Sequence, residues 1–298
     1  MALDISAPRI VAPVGDRCGE AATWSARERA VYWCDINRFL VHRLTVADGA
    51  VKTWMFDEPV VALALTTRDD TMVVATGARV LLWNPATDAR RPHGFVLDGW
   101  PAVRLNDGRP DPAGRLWIGS MRNNVGAEGE AMPAGGTDGL LFRVDGDGAS
   151  VRRDGIGISN TLCWSPDRRT FYFADTLANV IWAHDYDEAA GTIGPPRVFF
   201  EGFARGWPDG SSIDSEGYLW NCRFGGGCIV RLAPDGTIDR VIDLPVTNVT
   251  TCTFGGDDLR TVYVTTANAG APERERLAGS LFAIDSSVAG LPENRFAV

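Results

Sequence analysis

The chain has no surplus of positive charge: 29 Lys and Arg face 38 Asp and Glu over 298 residues, a formal charge of −9. A phosphate-backbone binder needs a basic stripe to displace counterions, so nucleic acid is excluded as the expected partner. No stretch approaches the roughly 18 apolar residues of a membrane span. The segment from Met1 to Val14 likewise lacks a basic start followed by a long apolar core. The expectation is a soluble, cytoplasmic protein, monomeric or weakly dimeric, with no membrane partner.

Other absences narrow the chemistry. The six cysteines, Cys18, Cys34, Cys163, Cys222, Cys228 and Cys252, include no C-x-x-C pair and no density suggesting a stapled secreted fold. Reduced, buried thiols are expected, although Cys222 and Cys228 flank three glycines and are placed to face each other across a hairpin. His42, His93 and His184 fit no H-E-x-x-H zinc pattern, and no G-x-S-x-G nucleophile elbow occurs. Charge blocks and low-complexity tracts are missing, so the chain should be ordered throughout. No segment shows a sustained helical period.

What is present is 45% hydrophobic residues, enough for a substantial core, and a pattern that recurs from end to end. A polar turn precedes an apolar-aromatic run in Val31-Tyr32-Trp33, Met72-Val73-Val74, Leu116-Trp117-Ile118, Phe171-Tyr172-Phe173, Leu219-Trp220-Asn221 and Val262-Tyr263-Val264. The central residues lie 41, 44, 55, 48 and 43 apart. That interval is expected when a four-stranded blade repeats, and the six copies predict an all-β, six-bladed β-propeller in a single domain over 1–298. The last repeat is a strand short, whereas Arg9 to Val14 is an extra apolar segment, so the N-terminal strand is expected to complete the final blade.

In a propeller the first strand of each blade lines the axis, so equivalent positions converge. Eleven or twelve residues before the central residues lie Glu20, Val61, Asn106, Asn160, Asp209 and Thr251. Five carry oxygen and two are carboxylates, which are expensive to bury without a cation or hydrogen bonds. Hard oxygen donors suit one divalent metal ion, Ca²⁺, Mg²⁺ or Mn²⁺, with Zn²⁺ or Fe²⁺ also open. The other reading is that these side chains satisfy one another through buried water. Arg104, two residues before Asn106 and so on the same face, adds a fork of donors for an oxygen-rich ligand.

Four segments in order carry a resemblance: Arg104-Leu-Asn-Asp-Gly-Arg-Pro-Asp-Pro-Ala-Gly-Arg-Leu-Trp-Ile-Gly-Ser-Met121, Ile158-Ser-Asn-Thr-Leu-Cys-Trp-Ser-Pro-Asp167, Pro208-Asp-Gly-Ser-Ser-Ile-Asp-Ser-Glu-Gly217 and Cys252-Thr-Phe-Gly-Gly256. Over nearly the whole chain the sequence resembles the senescence-marker-protein-30/gluconolactonase (regucalcin-like) family. The resemblance implies metal ligation by Glu20, Asn160 and Asp209, substrate binding by Arg104 and Asn106, and hydrolysis of aldonolactones. The family's usual Gly-Glu-Gly-Pro reads Gly19-Glu20-Ala21-Ala22 here. Where some members carry an acidic residue after Gly-Thr-Met, this chain has Arg122-Asn123-Asn124 after Gly119-Ser120-Met121, which makes Asn124 a substrate-binding candidate.

Under this reading the metal polarises the lactone carbonyl, while Asp209 serves as general base and then acid; the other role open to Asp209 is ligand alone. Asp107 is expected to point to the other face of its strand, and Asp35 and Asp175 to tie strands through backbone hydrogen bonds. Trp207 is a candidate sugar platform, with core packing as its default. The Gly-rich stretch 123–138 contains no strand pattern and is either a cover for the channel mouth or a passive surface loop. Two rival functions stay open: a non-catalytic calcium- or protein-binding propeller, and a propeller hydrolase of aryl esters or phosphotriesters.

Overall fold

The polar turns and short β-branched or aromatic runs fold into six antiparallel sheets, with no helix among the described residues. The computed structural model describes residues 3–146 and 148–298; Met1 and Ala2, where the segment searched for a leader begins, lie outside the described residues. The inner strands are Gly19–Ser25, Val60–Leu65, Val103–Pro110, Ser159–Trp164, Trp207–Ile213 and Val249–Gly255, belonging to blades 1 to 6 in chain order. Each packs against the inner strands of both neighbouring blades, and the sixth returns to the first, which closes a ring. The fold is a six-bladed β-propeller. No helix is long and apolar enough to cross a membrane among the described residues.

All six apolar-aromatic runs form second strands, directly outside the axial ones. Their tryptophans are buried on an apolar body and need a partner for the indole N–H. Trp117 donates to Asp111 Oδ2 and Trp220 to Asp214 Oδ2, both at 2.9 Å. The aspartates of the preceding turns thus fix the turn and the core together. Rings also pin blade to blade: Tyr32 meets Trp83 across blades 1 and 2, Trp117 meets Phe171 across blades 3 and 4, and Trp24 stacks on Tyr263 where blade 1 meets blade 6.

The last blade takes its strands from both parts of the chain. Leu281–Asp285 pairs on one side with Thr261–Thr266 and on the other with Arg9–Ala12, through Arg9↔Ala283 and Ile10↔Phe282. Blade 4 is wider than the repeat implies, because Val180–Asp187 pairs with both Thr192–Ile193 and Arg197–Glu201. That extra hairpin, together with 123–138, accounts for the two longest repeat intervals. The six cysteines are all free; Cys222 and Cys228 sit on paired strands without a bond between them.

Candidate functional site

The six axial positions read from the repeat all fall where the inner strand loses register with its neighbour. Register shifts occur between Glu20 and Thr23, Val60 and Ala62, Leu105 and Gly108, Asn160 and Cys163, Pro208 and Ser211, and Val249 and Cys252. A bulge adds residues to one strand and re-aims the side chains that it carries. In blades 1 and 4 the residues after the ligand candidates, Ala21 and Thr161, have φ of 57° and 55°, in the left-handed region. The backbone therefore turns immediately after Glu20 and Asn160, at the start of the inner strands.

Just upstream, a buried aspartate holds each of those two strands. Asp35 accepts hydrogen bonds from the backbone N–H groups of Arg17 and Cys18 at 2.9 and 3.1 Å, and Asp175 does the same for Gly157 and Ile158 at 2.8 and 3.0 Å. Both also cap their own turn, through Asn37 and Leu177. The strand-tying role expected for this pair is what the structure contains. In blade 5 the fixing bonds come from the side: Thr161 Oγ1 donates to the carbonyl of Asp209 at 2.5 Å, and Asn221 Nδ2 donates to it at 3.3 Å.

Glu20 and Asp209 then lie close enough to share a proton. Burial, reinforced by the charges of Asp209 and Asp107, pushes the Glu20 carboxyl well above its usual range. Burial and then the Asp107 charge push Asp209 up to about 8. Two desolvated carboxylates facing each other are what a cation would relieve. The third member is set by a hydroxyl. Thr176 Oγ1 has one proton, which it donates to the carbonyl of Pro208 at 2.8 Å, so it can only accept from Asn160, whose Nδ2 lies 2.8 Å away. The Asn160 amide must therefore present Oδ1 on its other side, where no protein group bonds it among the described residues.

That set is two carboxylates and an amide oxygen, all hard donors, and it fits one Ca²⁺, Mg²⁺, Mn²⁺ or comparable divalent ion. Among the described residues there is no cluster of three or more His, Cys, Asp or Glu side chains placed to hold a metal, so a centre built here would need the amide as its third donor. The second axial asparagine is oriented the opposite way. Asn106 Oδ1 accepts from Arg104 Nη1 at 2.6 Å, and its Nδ2 donates to the carbonyl of Ser159 at 2.9 Å. Its oxygen is occupied by a cationic group, which leaves Asn106 outside the ligand set.

Arg104 is itself buried, and burial pushes its pKa down to about 10. Nε and Nη2 donate to Asn124 Oδ1 at 3.1 and 2.7 Å. The structure thus joins Arg104, Asn106 and Asn124, the three candidates for substrate binding, into one wall beside Glu20 and Asp209.

The Asp107 carboxylate accepts from the backbone N–H groups of Gly108, Thr161 and Leu162, which braces the blade 3 strand against blade 4, and the Arg109 charge acts on it. Its own charge acts on Glu20 and Asp209, so it lies near the centre. One default is corrected. Trp207 is not core; it is 49% exposed at the start of the Asp209 strand. Cys18 was missed as a neighbour of the site, since burial and the charges of Glu20 and Asp209 raise its thiol pKa. Its position two residues before Glu20 was the available signal.

The stretch 123–138 leaves blade 3 on the side where the inner strands begin. Its Gly129 carbonyl accepts from Asn37 Nδ2 at 2.9 Å and from Arg17 Nη1 at 3.3 Å, both in blade 1. A bridge between Val125 and Ala131 gives it some regular structure. The C-terminal segment crosses the opposite end: Phe296 exchanges backbone bonds with Leu65 and Thr67, and Thr253 donates to Glu293 Oε1 at 2.6 Å. His42 and His184 bond Asp16 and the Gly194 carbonyl on outer strands, away from the ring.

Residues 18–268 match the family model described as the SMP-30/gluconolactonase/LRE-like region. The chain is 34% identical over 292 residues to the pentonolactonase XacC of Haloferax volcanii, and 36% identical over 291 residues to a 6-deoxy-6-sulfogluconolactonase of Pseudomonas putida; each alignment covers 94% of both chains. Among solved structures it is similar to a calcium-binding protein, regucalcin, from Agrobacterium tumefaciens, with a TM-score of 0.91, 27% identity and 98% of each chain covered.

Proposed function

Because this chain belongs to the SMP-30/gluconolactonase/LRE-like family, we propose that it is a metal-dependent hydrolase of an aldono-1,4- or 1,5-lactone, releasing the free pentonic or hexonic acid. The observation that carries this reading is the convergence of Glu20, Asn160 Oδ1 and Asp209 beside the donor wall of Arg104 and Asn106. The relatives named for a pentonolactone and a sulfonated gluconolactone bound the substrate to a sugar lactone.

Glu20, Asn160 and Asp209 would hold one divalent ion, which when bound supplies Lewis-acid polarisation of the lactone carbonyl. Asp209 takes a proton from the attacking water as the new C–O bond forms, then returns it to the ring oxygen as the ester C–O bond breaks. The product is the open hydroxy acid. Arg104 and Asn106 orient the ring through N–H groups that the protein leaves unused.

The test is acid release from a panel of pentono- and hexonolactones, using chelator-stripped protein and protein reloaded with each divalent ion, against a protein-free blank. Turnover should need the ion and should fall by at least about 100-fold in Asp209→Ala. A rate no higher than spontaneous opening on every lactone rejects the reading.

A further inference from the structure

The wall opposite the carboxylates has an uneven hydrogen-bonding character. Arg104 carries five N–H donors and no acceptor. Nε and one Nη2 proton go to Asn124 Oδ1, and the two Nη1 protons go to the Leu105 carbonyl at 2.8 Å and to Asn106 Oδ1. One Nη2 proton remains. A guanidinium can only donate, so both amides must turn their oxygens to it and their Nδ2 groups away. Asn106 spends one of its two N–H groups on the Ser159 carbonyl, and Asn124 Nδ2 has no protein partner among the described residues. The free groups on this wall are all donors.

The wall also holds a charge with no direct counter-ion. Arg104 is 4% exposed, and its hydrogen-bond partners are two neutral amides and a carbonyl. The charges of Glu20 and Asp209 favour its cationic form through space. Those two carboxylates are the ones a bound divalent ion would neutralise, and a buried cation is then costly unless another anion offsets it. A sugar hydroxyl both donates and accepts, so it uses a donor-only wall less fully than a carboxylate or sulfonate, which only accepts.

We infer that the lactone taken by this site carries an anionic substituent, a carboxylate or a sulfonate, directed at Arg104, and that Asn124 determines this preference. The inference rests on the lactonase reading and names its substrate class. An acidic residue at 124 would pair with Arg104 and put acceptors on the wall, which suits neutral, hydroxyl-bearing sugars. Asparagine leaves the guanidinium charge for the substrate.

The test compares kcat/KM for D-glucono-1,5-lactone with that for two anionic lactones of similar ring, one ending in a carboxylate (a glucarolactone) and one in a sulfonate (6-deoxy-6-sulfogluconolactone). At least one anionic lactone should be preferred by tenfold or more; equal or greater efficiency on the neutral lactone overturns the inference while leaving the lactonase reading intact. Asn124→Asp, which keeps the side-chain shape, should cut the preference at least tenfold, mainly through KM. An equal cut in Arg122→Gln, which removes an exposed rim charge, overturns the assignment to Asn124. Binding gives a readout independent of turnover. Calorimetry should show D-glucarate binding at least tenfold tighter than D-gluconate in the wild type, and the difference should vanish in Asn124→Asp. If no lactone is hydrolysed the lactonase reading fails, and the binding comparison still decides whether the wall selects a second anionic group.

Discussion

At the residue scale, Thr176 decides which atom of Asn160 faces the axis, although it touches no carboxylate. Thr176→Val removes both the acceptor for Asn160 Nδ2 and the donor to the Pro208 carbonyl while keeping the volume. The amide is then free to rotate. Loss of an outer partner of a ligand typically costs about 10- to 100-fold in affinity. Calorimetric titration with Mn²⁺ should show at least the lower end of that range for Thr176→Val and near-normal binding for Thr176→Ser; unchanged affinity in the valine variant removes Thr176 from the centre. Asp209 makes a second prediction, through pH. Its folded pKa of about 8 lies above the ~4 of an unfolded aspartate, so the folded state keeps a proton that the unfolded state has lost. Without metal, that stabilisation is full below pH ~4 and disappears as pH rises through about 8. Chelator-stripped protein should therefore melt at progressively lower temperature from pH 5 to pH 8, by up to roughly 1.4 kcal/mol per pH unit for each proton held. Asp209→Asn should flatten the trend, and a stripped protein whose melting is flat or rises over that range contradicts the raised pKa.

At the scale of strands, the bulge does most to make the site. It places Glu20 and Asn160 on the axis by turning the next residue into the left-handed region, a conformation that costs a residue with a Cβ roughly 1–2 kcal/mol. The residue after Glu20 is Ala21, where the family pattern has glycine. Ala21→Gly relieves the strain and loses some of that gain to a more flexible unfolded chain, so a net stabilisation of about 0.5–1 kcal/mol is expected in urea unfolding. Destabilisation would mean that Ala21 packing outweighs backbone strain. The limit of legibility in the sequence lies at this scale too. The six second strands were readable because buried, aromatic, β-branched runs advertise themselves, and the axial positions because they keep a fixed interval from those runs. The bonds of Asp107 to the backbone of Thr161 and Leu162 were not, since they join strands of two blades. Nor was the Arg104–Asn124 contact, which depends on a loop returning to a strand twenty residues earlier in the chain. Glu20, Asn160 and Asp209 were legible as a set only with the family pattern beside the arithmetic. Position alone left Asn106 and Asn160 equivalent; in the structure the bonds of Arg104 and Thr176 orient their amides oppositely.

At the scale of the whole molecule, the candidate ligands come from blades 1, 4 and 5, so a bound ion ties together parts of the ring that are far apart in sequence. An ion at 100 times its Kd adds about 2.7 kcal/mol to folding stability, by mass action. The reverse coupling follows: anything that loosens the ring should weaken the ion's hold. The closure of blade 6 is the place to loosen it, because its outermost strand, Arg9–Ala12 on Leu281–Asp285, is drawn from the other end of the chain. Blade 6 reaches the site directly, as Thr250 Oγ1 donates to the carbonyl of Gly19, next to Glu20, at 2.5 Å. Deleting residues 1–13 removes no ligand and no neighbour of one, yet it frees the outer edge of blade 6 and lets that contact slacken. The expected result is a lower melting temperature together with a roughly tenfold weaker ion affinity, equivalent to about 1.4 kcal/mol. The increase in melting temperature on adding a fixed excess of ion should shrink accordingly. If the deletion lowers the melting temperature but leaves ion affinity unchanged, the blades act as independent units and the ion does not sense closure. If affinity falls while Thr250→Val in the full chain reproduces the loss, the coupling runs through the Thr250–Gly19 hydrogen bond and not through general softening of the ring.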